Sequence, residues 1–300
     1  MVKEHKMKKE QLLHAITHYP VLYQRKTGNT HKGTFGTIGI IGSAEGMSGA
    51  IVLAGKSALK AGCGKVFLGF AQSQLPLPFI DSAPELMLKT ASALVDRQDI
   101  SAWAIGCGLG LSANSENILL NILAQRDENQ PYVFDADALV LMAKLKSQIS
   151  LNQHCVLTPH PKEAAILLDC TLSDIQNNRV QAAKEVAKLY HCWAIIKGQN
   201  TVITSPKGEI TINTTGNSGL STAGSGDVLT GIMGSFLAQG MAMSDAVKSA
   251  VWIHGIAADI LVEKGIGPIG LTASELINTV RDVRNQIWRL TQQHNADYFE

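Results

Sequence analysis

The residues best placed to do chemistry form one run, Gly-Asn-Ser-Gly-Leu-Ser-Thr-Ala-Gly-Ser-Gly-Asp-Val-Leu-Thr-Gly at 216–231. Its Ala-Gly-Ser-Gly-Asp segment leads into a helix of small apolar residues (Val228, Leu229, Ile232, Met233). Successive glycines expose backbone N–H groups, and a helix start adds partial positive charge, so an anion such as phosphate is stabilised there. An aspartate in that turn repels phosphate unless it has another task. Deprotonating a hydroxyl that attacks the phosphate is such a task for Asp227, and the alternative is a helix-start residue interacting with the dipole. Three other glycine-bearing stretches compete for phosphate. Ala50 to Ser57 ends in the Gly-Lys-Ser of a P-loop but has Ala for the leading Gly and lies inside a helical run, so it is rejected and Lys56 is a solvated helix residue. Gly42-Ser-Ala-Glu-Gly-Met-Ser-Gly-Ala is either a backbone cradle or a plain loop capped by Ser48. Gly106-Cys-Gly-Leu-Gly lacks the dinucleotide spacing but can line a substrate wall.

Further chemistry-bearing groups stand just past apolar runs. Asp135 and Asp137 follow Phe134 and can serve a metal, a substrate hydroxyl or a helix cap. Thr-Pro-His-Pro-Lys-Glu (158–163) puts His160 and Glu163 on a loop and first helical turn, where a glutamate is favoured by the dipole in any case. Lys-Gly-Gln-Asn-Thr (197–201) can clamp a nucleotide or simply make a tight connection.

The elements that must position these groups alternate. Apolar runs at 37–42, 65–70, 103–105, 132–134, 155–157 and 194–196 predict strands. Helical spacing is found at 11–18, 48–61, 114–125, 164–168 and 173–190. Strands separated by helices imply a mostly parallel sheet covered on both faces. A hairpin is expected over 201–212, around the turn Ser205-Pro-Lys-Gly, followed by helices at 227–238, 244–262 and 273–290. With no linker, repeat or low-complexity tract, residues 1–300 read as a single domain. Residues 1–30 form a lead-in helix and loop, and 291–300 a fraying tail.

Composition limits the function classes. Hydrophobic residues make up 45% and charged residues 17%, which excludes general disorder. A net charge of +1 gives no field to recruit nucleic acid or an anionic membrane. The 27 glycines favour tight turns and close approach to a ligand. Five scattered cysteines, without a Cys-x-x-Cys pair, read as small buried hydrophobes in a reducing compartment. There is neither a signal peptide nor an apolar run of about 20 residues, so a cytoplasmic, soluble protein is expected.

Taken together in this order, the six stretches at 42–50, 106–110, 135–139, 158–163, 197–201 and 216–231 resemble the ribokinase-like superfamily. The resemblance covers residues 30–290 and is closest to the stand-alone bacterial, ADP-dependent NAD(P)H-hydrate dehydratase branch. It implies a three-layer α/β/α sandwich with a mostly parallel central sheet. It also implies dehydration of the S epimer of hydrated NADH or NADPH (NAD(P)HX), driven by conversion of ADP to AMP and phosphate. Carried over motif by motif, Asp227 is the base, and Ala50, Gly108, Gly110, His160 and Asp227 face the hydrated nucleotide. Lys197, Gly198, Gln199, Asn200 and Thr201 line the AMP portion together with Gly226, and the amides of Gly224, Ser225 and Gly226 stabilise the transferring phosphoryl. His160-Pro-Lys-Glu163 stands where related kinases carry Asn-x-x-Glu, which puts Glu163 at Mg²⁺, directly or through water. A homotetramer is implied as well. Too little chain precedes the first strand for the epimerase domain often fused there, so an NAD(P)HX epimerase on a separate chain is the expected partner. The rival within the fold is a vitamin-pathway kinase acting on a hydroxymethylpyrimidine or hydroxyethylthiazole.

Overall fold

A computed structural model describes residues 7–23 and 28–297. The chain runs α1 (Lys9–His18), β1 (Thr37–Gly42), α2 (Ser48–Lys60), β2 (Lys65–Phe70), β3 (Met87–Thr90), α3 (Ala91–Val95), β4 (Ala102–Ile105) and α4 (Ala113–Ala124). It continues through β5 (Tyr132–Phe134), α5 (Asp137–Lys144), β6 (Cys155–Leu157), α6 (Pro161–Leu168), α7 (Leu172–Asn177), α8 (Arg179–Tyr190) and β7 (Trp193–Ile196). The hairpin β8 (Thr201–Thr204) and β9 (Ile210–Asn213) follows, then α9 (Ser225–Ala238), α10 (Met243–Glu263) and α11 (Ala273–Asp297).

The nine strands form one sheet in the order β3-β2-β1-β4-β5-β6-β7-β8-β9. Pairing is parallel from β3 through β7, with Ile40 opposite Leu68 on one side and Ala104 on the other. It becomes antiparallel at β8 and β9. Both faces are covered, and the two-residue period of a strand divides the core. Ile38, Ile40, Val133, Val156 and Ile195 pack on one side with α2, α9, α10 and α11. Ile41, Ile105, Phe134, Leu157 and Ile196 pack on the other with residues of α3 to α8. Each fully buried aliphatic side chain contributes roughly 1.5–3 kcal/mol by leaving water. The expected three-layer α/β/α sandwich is what the chain forms.

Several boundaries differ from the sequence reading. The helix expected over 173–190 is two helices, because Asn178 leaves the helical conformation (φ −148°, ψ 72°) and caps α8 by accepting from the Gln181 amide at 3.0 Å. Strand β3 is added at the edge, where only four partly exposed residues pair with β2. Ser48 does not cap α2: it is the first helical residue, preceded by Met47, which makes no side-chain cap. Cys63, Cys107, Cys155 and Cys192 are buried as expected, but Cys170 is exposed. Helix α11 takes in residues up to Asp297 of the expected tail; residues 298–300, like 1–6 and 24–27 of the lead-in, lie outside the described residues. Among the described residues no helix is long and apolar enough to cross a membrane.

Candidate active site

The start of α9 is built to receive an anion. Gly224, its N-cap, has φ 86°, a left-handed conformation that glycine adopts at no steric cost. Among the described residues the amides of Gly224, Gly226 and Asp227 have no internal acceptor, whereas Val228 already donates to Gly224 at 3.1 Å. Ser225 departs from the expected cradle. Its amide donates to Thr222 at 3.3 Å and its hydroxyl to the Leu220 carbonyl at 2.6 Å, so it braces the turn from behind. The free N–H groups are therefore those of Gly224, Gly226 and Asp227, all at the positive end of the helix dipole.

A cation faces this turn. Lys197, at the end of β7, donates from Nζ to Asp135 Oδ1 at 2.6 Å, and the other Asp135 oxygen accepts from Thr230 Oγ1 at 2.7 Å. Gly226 leaves the space: a Cβ there would come within 3.4 Å of Nζ. Burial by itself would raise the Asp135 carboxyl, but the Lys197 charge and the hydrogen bonds from Lys197 and Thr230 hold it below the usual range. Burial likewise opposes the Lys197 charge, and the carboxylates of Asp135 and Glu163 more than restore it. The aspartate thus neither caps α5 nor stands free for a substrate hydroxyl; it holds a partly buried ammonium beside the anion cradle. Thr230, one turn into α9, completes the arrangement; it lies in the 216–231 run, but the sequence assigns it no task.

Asp227 is different. Burial raises its carboxyl to about 6, further raised by the charge of Asp135 and moderated by a hydrogen bond from the Cys107 thiol and by Lys197. A carboxylate in that range is ionised at neutral pH yet basic enough to take a proton.

His160 and Glu163 form a capping box at the start of α6. The Glu163 carboxylate accepts from the His160 amide at 2.7 Å, and His160 Nδ1 accepts from the amides of Lys162 and Glu163 at 3.1 and 3.2 Å. Because Nδ1 is an acceptor, the imidazole proton sits on Nε2, and burial with the nearby Lys197 charge lowers the His160 pKa. Glu163 is raised, chiefly by burial. No group of three or more His, Cys, Asp or Glu among the described residues is placed to hold a metal ion. Mg²⁺ commonly binds through one or two carboxylates plus substrate phosphates and water. The residues fit such an ion, brought in on the phosphates with Glu163 at its edge, and not a protein cage.

His160, Glu163, Lys197 to Thr201 and Gly224 to Asp227 line one cavity of about 820 Å³. Ala50, Gly108 and Gly110 lie outside it. A Cβ on Gly108 would lie 3.2 Å from that of Ala50. Gly110 donates to Asp137 Oδ2 at 2.8 Å, and Cys107, next to Gly108, influences the Asp227 carboxyl. The loops after β1 and β4 meet here, with Ser43 and Ala44 donating to the Cys107 and Gly108 carbonyls at 2.9 and 2.7 Å. These two strands are neighbours from which the sheet grows in opposite directions, the switch point where open α/β sheets bind ligands. The P-loop-like stretch indeed lies inside α2, and Lys56 reaches Ser82 at 3.3 Å. A second cavity, about 970 Å³, opens at the opposite end of the sheet. Its partly buried cation, Arg284, is bound by the carbonyls of Leu22 and Ala61 and by Gln239 near the ends of α2 and α9, a structural clamp.

A doubly covered, mostly parallel sheet with a glycine-rich helix start and an aspartate at its carboxyl edge defines an α/β protein with a site suited to a phosphate-bearing ligand. A sequence profile of the family described as NAD(P)H-hydrate dehydratase matches residues 38–281, and the chain belongs to that family. Over 282 residues it is 42% identical to a Neisseria meningitidis protein named ADP-dependent (S)-NAD(P)H-hydrate dehydratase, covering 93% of this chain and 95% of that one. The bifunctional NAD(P)H-hydrate repair enzyme of Escherichia coli is 36% identical over 264 residues, which are 85% of this chain but 49% of that protein. In three dimensions the chain is similar to the Bacillus subtilis ADP/ATP-dependent NAD(P)H-hydrate dehydratase crystallised with ATP and Mg²⁺. The TM-score is 0.76 at 26% identity, over 96% of this chain and 99% of that one.

Proposed function

We propose that the protein dehydrates the S epimer of hydrated NADH and NADPH, using ADP as phosphoryl donor and releasing AMP and phosphate. The observation that carries the reading is the placement of Asp227. Its carboxyl, with a pKa of about 6, lies in the turn that also offers the free Gly226 amide, with the Lys197 ammonium beside that turn. Asp227 accepts the proton of the ring hydroxyl at C6. The hydroxyl oxygen bonds to the β-phosphorus of ADP as its bond to the bridging oxygen breaks, and AMP leaves. Charge on the transferring group is met by the amides of Gly224, Gly226 and Asp227 and by Lys197. Hydroxide is a poor leaving group, whereas phosphate departs with the C–O electron pair as the ring nitrogen donates its own. Loss of a C5 proton then restores the dihydronicotinamide.

In this reading Lys197, Gly198, Gln199, Asn200, Thr201 and Gly226 hold the AMP portion, with Ser225 bracing the turn. Ala50, Gly108, Gly110 and His160 face the hydrated ring, and His160 presents Nε2–H. Mg²⁺, when bound at Glu163, supplies charge neutralisation for the phosphates. The proposal extends to a homotetramer in the cytoplasm, with an NAD(P)HX epimerase as functional partner. Hydrated NADH incubated with ADP, and separately with ATP, tests it. Recovery of the reduced-nicotinamide absorbance with equimolar AMP and phosphate is expected with ADP. Accumulation of a stable phosphorylated substrate would instead indicate a small-molecule kinase of the same fold.

A further inference from the structure

The turn between β5 and α5 holds a residue in a conformation that its type does not favour. Ala136 has φ 49° and ψ −124°. These are the angles of the first central residue of a type II′ turn, a position that glycine normally fills. The Ala138 amide closes the turn on the Asp135 carbonyl at 3.2 Å. An alanine is strained at such angles, and the strain persists only where the surroundings enforce it. Glycine would adopt them freely. Among the described residues the Ala136 methyl group belongs to neither hydrophobic core, and the residue lines the cavity. Core packing therefore does not offset the strain.

The contacts that enforce the turn also define its task. In a continued strand, residues 135 and 137 would point to the same face of the sheet. The turn sends them to different neighbours instead. Asp135 meets Lys197 Nζ at 2.6 Å and Thr230 Oγ1 at 2.7 Å, beside the cradle of α9. Asp137 accepts from the Gly110 amide at 2.8 Å, in the loop after β4. The turn is also pressed onto the end of β4, since a Cβ on Gly106 would lie 1.8 Å from the Asp135 carbonyl oxygen and 2.8 Å from the Ala138 Cβ.

Asp135, Ala136 and Asp137 thus join the cation at the phosphate cradle to the loop proposed to face the hydrated ring. The range of angles open to alanine around this conformation is narrow, whereas that of glycine is broad. The methyl group therefore limits how far the two aspartates move against each other. We infer that Ala136 is a positioning residue, whose methyl group stiffens the turn and keeps Lys197 in register with the Gly108–Gly110 loop. The inference rests on the dehydratase reading above. Transfer needs the phosphorus and the ring hydroxyl in line, and a misplacement of about 1 Å can cost on the order of 100-fold in rate.

Ala136→Gly in the full chain tests it, compared with wild type by thermal melts, calorimetric titration with ADP and steady-state turnover of hydrated NADH. Relief of the strain should raise the melting temperature by about 2–4 °C. ADP affinity should be unchanged, because Lys197 and the amides of α9 are kept. The register of the two sides is loosened, so kcat should fall about tenfold. A residue that served only the fold would lose stability and activity together. Asp137→Ala, at the other end of the turn, should lower kcat to a similar extent. Asp137→Asn, whose amide oxygen still accepts from Gly110, should recover most of that loss. Ala136→Gly with wild-type kcat overturns the inference, and so does Ala136→Gly that melts below wild type. Equal turnover by Asp137→Ala and wild type overturns it as well. Wild type that turns over no hydrated NADH with ADP refutes the dehydratase reading itself, and the inference with it.

Discussion

Burial disfavours the ionised form of Asp227, the proposed base, and that has two measurable consequences. Its folded-state pKa of about 6 lies above the ordinary carboxylate value, so between pH 4 and 6 the folded protein holds a proton that the unfolded chain has lost. This group's contribution therefore disfavours folding as pH rises through that window, and the cost is fully present at neutral pH. Asp227→Asn should abolish turnover, leave ADP binding largely intact and raise stability by roughly 1–2 kcal/mol at pH 7, read by denaturant melts beside single-turnover assays. In the wild-type enzyme kcat/KM should fall tenfold per unit below about pH 6, the limb expected of a single essential base. Lys197 is the complementary case. Lys197→Met removes the charge at the phosphoryl and leaves Asp135, 2% exposed, without its ammonium. A loss of more than about 100-fold in turnover and about 3 kcal/mol in stability is expected. The glycines and Asp227 could be singled out from sequence because helix-start chemistry is local. Thr230 and Cys107 lie within the stretches at 216–231 and 106–110, yet their tasks were not legible, because the groups they act on, Asp135 and Asp227, are brought to them only by the fold.

Helix α9 carries both the anion cradle and Asp227, and its position is set by how closely it crosses α2. At Gly231 a Cβ would lie 2.0 Å from both the Ala54 carbonyl and Ser57 Oγ, so the helices meet backbone to backbone. Ser57 Oγ donates to the Val228 carbonyl at 3.0 Å and Ser235 Oγ to that of Ala58 at 2.9 Å, fixing the crossing on both sides. Gly231→Ala should destabilise the protein by about 1–3 kcal/mol and lower kcat as the cradle shifts, whereas Gly208→Asn, in open space at φ 85°, should cost stability through backbone strain alone and leave kcat unchanged. Thermal melts paired with steady-state kinetics separate the two. The parallel strands were legible because they are apolar runs buried on both faces, and β1, β2, β5 and β6 fall where expected. The break between α7 and α8 was not, since the helical spacing continues across Asn178 and only its cap interrupts the backbone. Strand β3 escaped because an edge strand of four partly exposed residues has neither the length nor the apolar run of its neighbours.

At the scale of the molecule, the sheet brings two separate regions to one carboxyl edge. The cavity proposed for the nucleotide lies between β7, the hairpin and α9, and the loops carrying Ala50, Gly108 and Gly110 meet at the switch point between β1 and β4. Cys107, next to Gly108, influences the Asp227 carboxyl across the two regions. On the proposed reading, a hydrated ring held at the switch point meets one base and one phosphoryl donor from a fixed direction. Its two C6 epimers point their hydroxyls to opposite faces of the ring, and only one can lie between the Asp227 carboxylate and the β-phosphorus. Given a pre-equilibrated mixture of epimers with excess ADP, the chain should restore reduced nicotinamide in two phases. A fast phase should account for the S fraction, and a slow one should proceed at the rate at which the epimers interconvert in solution. Adding an NAD(P)HX epimerase should merge the phases into one without changing the final absorbance. Complete recovery in a single fast phase by this chain alone would mean that both faces of the ring are accepted, and the geometry argued for Asp227 would have to be abandoned.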